Sequence, residues 1–166
     1  MNKEITNPAA KAFLKVFLMD RKVNKEFYKR VPEDKFDFRI VDTKDRRSDS
    51  IRESVLHQVR ITRLYIDAAK KGALTLDTEY ADLSKNYSKE DLLKLLEENE
   101  ADITELLTND ENVNRMVSSP WSPTPLAASI LLWNVATHEV LHQGWNLALM
   151  DLLNIERFPE LKEMWG

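Results

Sequence analysis

The chain of 166 residues has no cysteine and only 3 glycines, 6 prolines and 3 histidines. The lack of cysteine excludes disulfide bonds, thiolate metal ligands and a cysteine nucleophile, and it fits a reducing compartment. The scarcity of glycine and proline leaves few helix breakers. No apolar run is long enough to span a bilayer, and residues 1–5 lack the apolar core of a signal peptide. We therefore expect a cytoplasmic protein that has no membrane partner.

The composition is that of a globular protein rather than a nucleic-acid binder. Apolar residues make up 43% of the chain and charged residues 31%, and the formal net charge is −4. A general nucleic-acid binder usually carries a basic excess, so we expect no nucleic-acid partner. The length is enough for one domain with a sizeable core, and we predict a single domain over residues 1–166.

Helical spacing of apolar residues predicts four long helices and a short C-terminal helical turn. The predicted helices cover residues 8–30, 51–71, 89–107 and 125–154, with the extra turn within 156–165. Asn7 and Ser88 are suitable N-caps, Ser48, Asp49 and Ser50 offer several for the second helix, and strand-like alternation is nearly absent. The prolines within 108–124 predict a stiff, mostly extended connection. The fold class is therefore all-α, an antiparallel four-helix bundle.

The last predicted helix has an apolar stripe at helical spacing, and two histidines fall within it. The stripe consists of Leu131, Val135, His138, Leu141, His142, Trp145, Leu149 and Leu152. We expect this face to pack inward against the other helices. On the second helix His57 shares a mostly apolar face, so we expect that its side chain also points inward.

The three histidines suggest a metal site. His138 and His142 are four residues apart, so both imidazoles lie on one face of a helix, about one turn apart. If the second and last helices pack side by side, His57 can join them. Three imidazoles leave an open coordination position, the arrangement of a catalytic zinc site. Nickel, iron and manganese also accept imidazole, and the alternative is that the histidines are satisfied core residues.

The letters His138-Glu139-Val140-Leu141-His142 also match HExxH, in which the glutamate is the general base of a metallopeptidase. Glu156, Glu160 and Glu163 are candidate third ligands downstream, but the 24 residues after His142 leave little room for a second lobe, and His57 would have no role. Glu139 then remains either a proton-transfer group or a structural carboxylate. Tyr65 lies two turns after His57, so it can hydrogen-bond a ligand of the metal or simply belong to the core.

Three short motifs give the chain a resemblance to the DinB/YfiT-like family of small metal-binding helical bundles. They are Ser54-Val55-Leu56-His57, Pro120-Trp121-Ser122-Pro123, and the segment from His138 to Trp145. The resemblance covers nearly the whole chain and implies a homodimeric four-helix bundle in which His57, His138 and His142 hold one divalent metal. One departure is Trp145, because the family often has glutamine after the glycine of this last motif.

The resemblance also implies a reaction class. Its better understood members resemble thiol-dependent transferases and related metalloenzymes, in which the metal activates a low-molecular-weight thiol. We therefore expect a metal-dependent enzyme that acts on a small-molecule substrate, with zinc or nickel as the metal and Glu139 and Tyr65 as candidate catalytic residues. The alternatives are a non-enzymatic helical stress-response or interaction module and a minimal HExxH metallopeptidase.

Overall fold

The computed structural model describes residues 4–76 and 87–165, and helices make up most of them. The helices are α1 (Pro8–Arg30), α2 (Ile51–Lys71), α3 (Lys89–Leu107), α4 (Asp110–Asn114), α5 (Ala128–Leu131), α6 (Trp133–Leu153) and α7 (Pro159–Trp165), with a 3-10 turn at Glu33–Lys35. Two strands, β1 (Met116–Val117) and β2 (Leu126–Ala127), pair antiparallel. None of the described helices is both long and apolar enough to cross a bilayer. The predicted all-α class is confirmed.

The first three long helices begin where the sequence predicts because each has a capping side chain. The Asn7 side chain accepts hydrogen bonds from the first free N–H groups of α1. Ser50 and Glu53 form a capping box at the start of α2, and Ser88 and Asp91 form another at the start of α3. Each cap pairs backbone donors that the first helical turn leaves unpaired, so the boundary is encoded locally.

The four long helices form a bundle in which α1 and α2 each pack against both α3 and α6. Contacts show that α1 runs antiparallel to α3, and α2 antiparallel to α6. Other contacts show that α1 runs parallel to α6, and α2 parallel to α3. Residues 72–88 connect the parallel neighbours α2 and α3, and the connections after α1 and after α3 join helices that lie diagonally across the bundle. The antiparallel pair α2/α6 carries the three histidines.

The segment between α3 and α6 is more structured than the sequence predicts. It contains α4, β1, β2 and α5, and Ser118 exchanges backbone hydrogen bonds with Gly72 and Leu74. The predicted start of the last helix near Pro125 was wrong, because Leu126 and Ala127 pair with β1 and the long helix starts only at Trp133. Proline-rich stretches favour extended backbone, and a two-residue strand is too short to show alternation.

The interior of the bundle has an apolar cluster toward each end and a buried polar layer between them. One cluster joins the N-terminal half of α1 to the C-terminal halves of α2 and α3, and the other joins the opposite halves. The fully or nearly fully buried polar side chains of the layer are Asp20, Arg21, Asn24, Ser54, Gln58, Thr62, Asn99, Glu139, His142, Gln143 and Asn146. Buried polar groups require hydrogen-bond partners, so this layer fixes the axial register of the helices relative to one another.

The predicted inward face of α6 was wrong for part of its length. Leu141 is 71% exposed and Leu152 57% exposed, whereas Glu139, Gln143 and Asn146 are buried. The polar side chains turn inward because α1 offers them partners in the buried layer. An apolar stripe read from the sequence identifies the packed face only where the partner helix is apolar as well.

Candidate metal centre

The structure brings all three histidines together at the α2/α6 contact. His138 and His142 lie one turn apart on α6, and antiparallel packing sets His57 of α2 beside them. One ring nitrogen from each residue lies within 4.8 Å of the other two. Among the described residues this is the group of His, Cys, Asp or Glu side chains that can hold a metal ion.

The cluster lies at the base of an open cleft rather than inside the core. His142 is only 8% exposed, His138 is half-buried, and His57 is exposed. The expectation that His57 points inward was therefore wrong, because the groove between α2 and α6 opens to solvent at this position. The cleft has a volume of about 600 Å³ and is lined by Ile40, Asp49, Ser54, His57, His138, Leu141, His142, Gly144, Trp145 and Ala148.

The distance between two of the rings suits a shared ligand. The Nε2 atoms of His57 and His138 are 3.0 Å apart. Two imidazole lone pairs repel at this distance unless a proton or a cation lies between them. Two nitrogens bound to one tetrahedral zinc ion are about 3.3 Å apart, given Zn–N bonds of about 2.0–2.1 Å. The donor set therefore fits a divalent cation that prefers imidazole.

The histidines are held in the neutral form that binds metals. Burial and the neighbouring His57 lower the pKa of His138 from 6.5 to about 4. Burial, followed by the effects of His138 and His57, lowers the pKa of His142 to about 3. Burial also lowers the pKa of His57. At neutral pH the rings are therefore not in the doubly protonated, charged form, which cannot bind a cation.

Ser54 and His142 connect the cluster to the buried polar layer. The Oγ atom of Ser54 lies 2.9 Å from Nδ1 of His142. Because this contact occupies Nδ1, Nε2 is the nitrogen of His142 that remains for a ligand. The Nδ1 atom of His138, by contrast, is buried and has no hydrogen-bond partner within the described part of the chain.

The structure encloses Glu139 on the opposite side of α6, away from the cleft lining. Its side chain is fully buried, and Arg21 donates to both carboxylate oxygens, with Nη2 at 2.7 Å from Oε1 and Nε at 2.9 Å from Oε2. The Nδ2 of Asn24 donates to Oε2 at 2.8 Å. Both oxygens are therefore occupied, and the carboxylate does not face the space in front of the histidines.

Tyr65 also lies outside the cleft lining. It is buried in the apolar cluster that includes the C-terminal half of α2, and its hydroxyl lies near the side chain of Asn134. Burial raises its pKa. The catalytic roles of Glu139 and Tyr65 stay predictions, and the structure gives neither side chain a direct contact with the histidines.

Sequence analysis missed the buried partners of the α6 motif. Arg21 and Asn24 belong to α1, and Arg21 is fully buried. A signal was available, because Arg21 follows Phe17 by four residues and so falls within the apolar stripe of α1. A charged residue in such a stripe indicates a buried ion pair, although the partner is more than 100 residues away in the chain.

Fold and site together define a class: a four-helix bundle whose second and last long helices present three histidines to one cleft. The chain belongs to the DinB family, because the sequence model of that family matches residues 1–157. The structure is similar to the crystal structure of a DinB-like protein, YjoA, from Bacillus subtilis. The two share 19% sequence identity over 89% of this chain and 96% of that chain, with a TM-score of 0.68, which supports the shared fold. No curated protein matches the sequence.

Proposed function

We propose that this protein is a metal-dependent enzyme that acts on a small electrophile. It either transfers a low-molecular-weight thiol to the electrophile or hydrolyses the electrophile. His57, His138 and His142 hold one divalent cation. The observation that carries the proposal is a cluster of three neutral imidazoles at the base of a cleft open to small molecules.

When bound, the cation acts as a Lewis acid that lowers the pKa of water or a thiol and so supplies a nucleophile at neutral pH. The chain contributes the ligands and the surroundings. Leu141, Trp145 and Ala148 provide an apolar wall that binds the body of a substrate and displaces water from it. His57 stands at the exposed side, where a small molecule meets the cluster first. The described lining contains no lysine or arginine, so apart from the cation a substrate with several negative charges has no positively charged partner there.

The donor set favours zinc or nickel. The site has three imidazoles, no thiolate and no carboxylate in its lining other than Asp49. Neutral imidazole suits zinc, copper, iron and nickel, whereas carboxylate-rich sites suit magnesium, calcium and manganese. We propose zinc or nickel as the resident metal, with iron or manganese as the alternatives that elemental analysis distinguishes.

The first test is elemental analysis of protein purified without a histidine tag or chelator, beside the His57→Ala variant. We expect about one equivalent of metal in the parent and a loss of most of it in the variant. Thr137→Ala, an exposed change on α6, is the matched control and keeps the metal. If neither parent nor variant holds metal, even after incubation with zinc or nickel, the proposal is rejected. A positive result leads to a screen of small thiols against model electrophiles.

We also propose that the protein is a homodimer whose interface includes an exposed apolar stripe of α6. The stripe comprises Leu141, Gly144, Trp145, Ala148 and Leu152. A methyl group added at Gly144 meets no atom within 4 Å, and α6 exposes no charged side chain before Asp151. An uncharged apolar stripe of this length usually marks a contact surface. Because the stripe runs along the cleft, a second copy on it would lie beside the candidate metal centre.

The oligomeric state is tested by sedimentation of the parent and of Leu152→Glu, a residue outside the cleft lining. We expect a dimer for the parent and a monomer for the variant. Met116→Glu places the same charge on an exposed hydrophobic residue of β1 and serves as the control, which should remain dimeric. A monomeric parent overturns this part of the proposal and leaves the metal site unaffected.

The two other hypotheses have less support. A non-enzymatic interaction module would be favoured by histidines that are enclosed without a cleft. The three histidines instead line an open cleft. A metallopeptidase of the HExxH type needs Glu139 beside the reacting water, whereas both of its oxygens are bound by Arg21 and Asn24. These contacts support a structural role for Glu139.

A further inference from the structure

We infer that Ser54 is a positioning residue for the candidate metal centre, because it accepts a hydrogen bond from Nδ1–H of His142 and so holds that ring in the tautomer whose Nε2 can ligate. The inference rests on the metal-binding part of the proposed function. The tautomer itself, however, can be measured in the metal-free protein.

The contact is at normal hydrogen-bond distance and is nearly buried. Ser54 Oγ and His142 Nδ1 are 2.9 Å apart, and the two residues are 3% and 8% exposed. Ser54 precedes His57 by three residues on α2, so the two side chains lie on neighbouring positions of one helix face. The helix that carries one ligand therefore also holds the ring of another ligand that belongs to α6. Water has little access to replace the serine hydroxyl if it is removed.

The chemistry of imidazole makes this contact decisive for metal binding. A neutral imidazole carries one proton, and the nitrogen without it is the one that binds a metal. If Nδ1 donates to Ser54, Nε2 has the free lone pair. If Ser54 donates to Nδ1 instead, Nε2 carries the proton and must lose it before it binds. Residues that hold the second nitrogen of a ligating histidine typically change metal affinity by about 10–100-fold when they are removed.

The Ser54 hydroxyl has an alternative to donating to the histidine. The oxygen of the fully buried Tyr28 side chain lies near it. Gln58 Nε2 donates to Tyr28 Oη, and Asn146 Nδ2 lies 3.4 Å from the same oxygen. In our assignment His142 donates from Nδ1 to Ser54 Oγ, and the Ser54 proton can turn toward Tyr28 Oη.

The chain of hydrogen bonds continues to the buried ion pair. Asn146 Nδ2 donates to Asn24 Oδ1 at 2.8 Å, and Asn24 Nδ2 donates to Glu139 Oε2 at 2.8 Å. Glu139 is held in turn by Arg21. Ser54, which contacts a ligand ring at the cleft, therefore borders the hydrogen-bonded polar layer of the bundle.

The direct test is nuclear magnetic resonance of the metal-free, untagged protein with ¹⁵N-labelled histidine at pH 7.5. The chain has only three histidines, so the spectrum contains three ring systems. The His57→Gln and His138→Gln variants identify the signals of His142. We expect one tautomer for His142 in the parent, with the proton on Nδ1. In Ser54→Ala we expect a mixture of both tautomers.

The second readout is affinity, measured by titration with Zn²⁺ against a competing chromophoric chelator. We expect Ser54→Ala to weaken zinc binding about 10–100-fold, in line with the loss of other groups that orient ligating histidines. Ser54→Thr retains the hydroxyl and should restore most of the affinity. Ser129→Ala removes the hydroxyl of another buried serine and is the matched control, with affinity within about twofold of the parent. Circular dichroism confirms that each variant is folded.

The outcomes separate this inference from the proposed function. A parent His142 with its proton on Nε2 overturns the inference, as does an unchanged tautomer and affinity in Ser54→Ala. If Ser54→Ala does not fold, the tautomer of His142 in the parent and the zinc affinity of Ser54→Thr still test the inference. If the parent binds no metal but His142 shows the Ser54-dependent Nδ1–H form, the metal-dependent function fails and the positioning contact stands.

Discussion

The two sides of α6 make opposite use of adjacent residues. Toward α1 the helix presents Glu139 to a sealed, fully paired ion pair with Arg21. Toward α2 it presents His138 and His142 to an open cleft. Successive residues of a helix are about 100° apart, so one short motif serves two interfaces. The letters HExxH therefore do not define a catalytic unit, because the partner helices decide what each residue does.

The largest effect is expected on the α1 side. Glu139→Gln leaves the buried Arg21 guanidinium without its counter-charge, and removing one partner of a buried ion pair typically costs about 3–5 kcal/mol. We expect a loss of this size in the free energy of unfolding, measured with urea. Glu97→Gln breaks an exposed ion pair with Lys25 and should cost at most about 1 kcal/mol. A loss for Glu139→Gln no larger than that of the control contradicts the structural role.

On the α2 side the same kind of change should affect binding and not folding. We expect His138→Ala to weaken zinc binding more than about 100-fold, because it removes one of three ligands, while the free energy of unfolding without metal changes by about 1 kcal/mol or less. Calorimetric titration and urea unfolding measure the two quantities. If His138→Ala destabilises the metal-free protein as much as Glu139→Gln, the two interfaces do not differ as proposed.

The pH dependence of the metal-free protein should reveal the neutral histidines. The folded-state pKa values of His138 and His142, about 4 and about 3, lie below 6.5, the value of an exposed histidine. Between these values the unfolded chain binds more protons than the folded one. Stability is therefore full above pH 6.5 and falls as the pH drops from 6.5 toward 4.

Urea unfolding at a series of pH values measures this loss. We expect the parent to lose more stability between pH 6.5 and pH 4.5 than His142→Leu, which has one fewer depressed histidine. Comparing the variant with the parent cancels the contribution of carboxylates that also titrate in this range. Identical pH profiles for the two proteins would mean that His142 is not held neutral by burial.

The smallest effect is expected for Tyr65. Tyr65→Phe removes a hydroxyl that lies near Asn134, and the loss of one polar contact of this kind typically costs at most about 1 kcal/mol of stability. We expect zinc affinity and any thiol-transfer rate to stay within about twofold, because Tyr65 does not line the cleft. A large drop in rate with unchanged zinc affinity would instead support the catalytic role predicted for Tyr65 from the sequence.

Local signals were sufficient for much of the bundle. The starts of α1, α2 and α3 follow from capping side chains at Asn7, Ser50 and Ser88, whose interactions involve only the next few residues. The spacing of His138 and His142 likewise determines that their rings share a face. Such features depend on a helix and its own first turn, so they are legible in a single sequence.

Tertiary packing decided the rest. Whether Leu141 or Glu139 turns inward depended on Arg21 of α1, more than 100 residues away, and the exposure of His57 depended on where the α2/α6 groove opens. Interactions with neighbours along the chain specify most of the long helices and the spacing of the histidines, so both are readable in a single sequence. The structure alone decided which groups became a sealed ion pair and which an open site, since burial and pairing depend on residues that meet only in the folded protein.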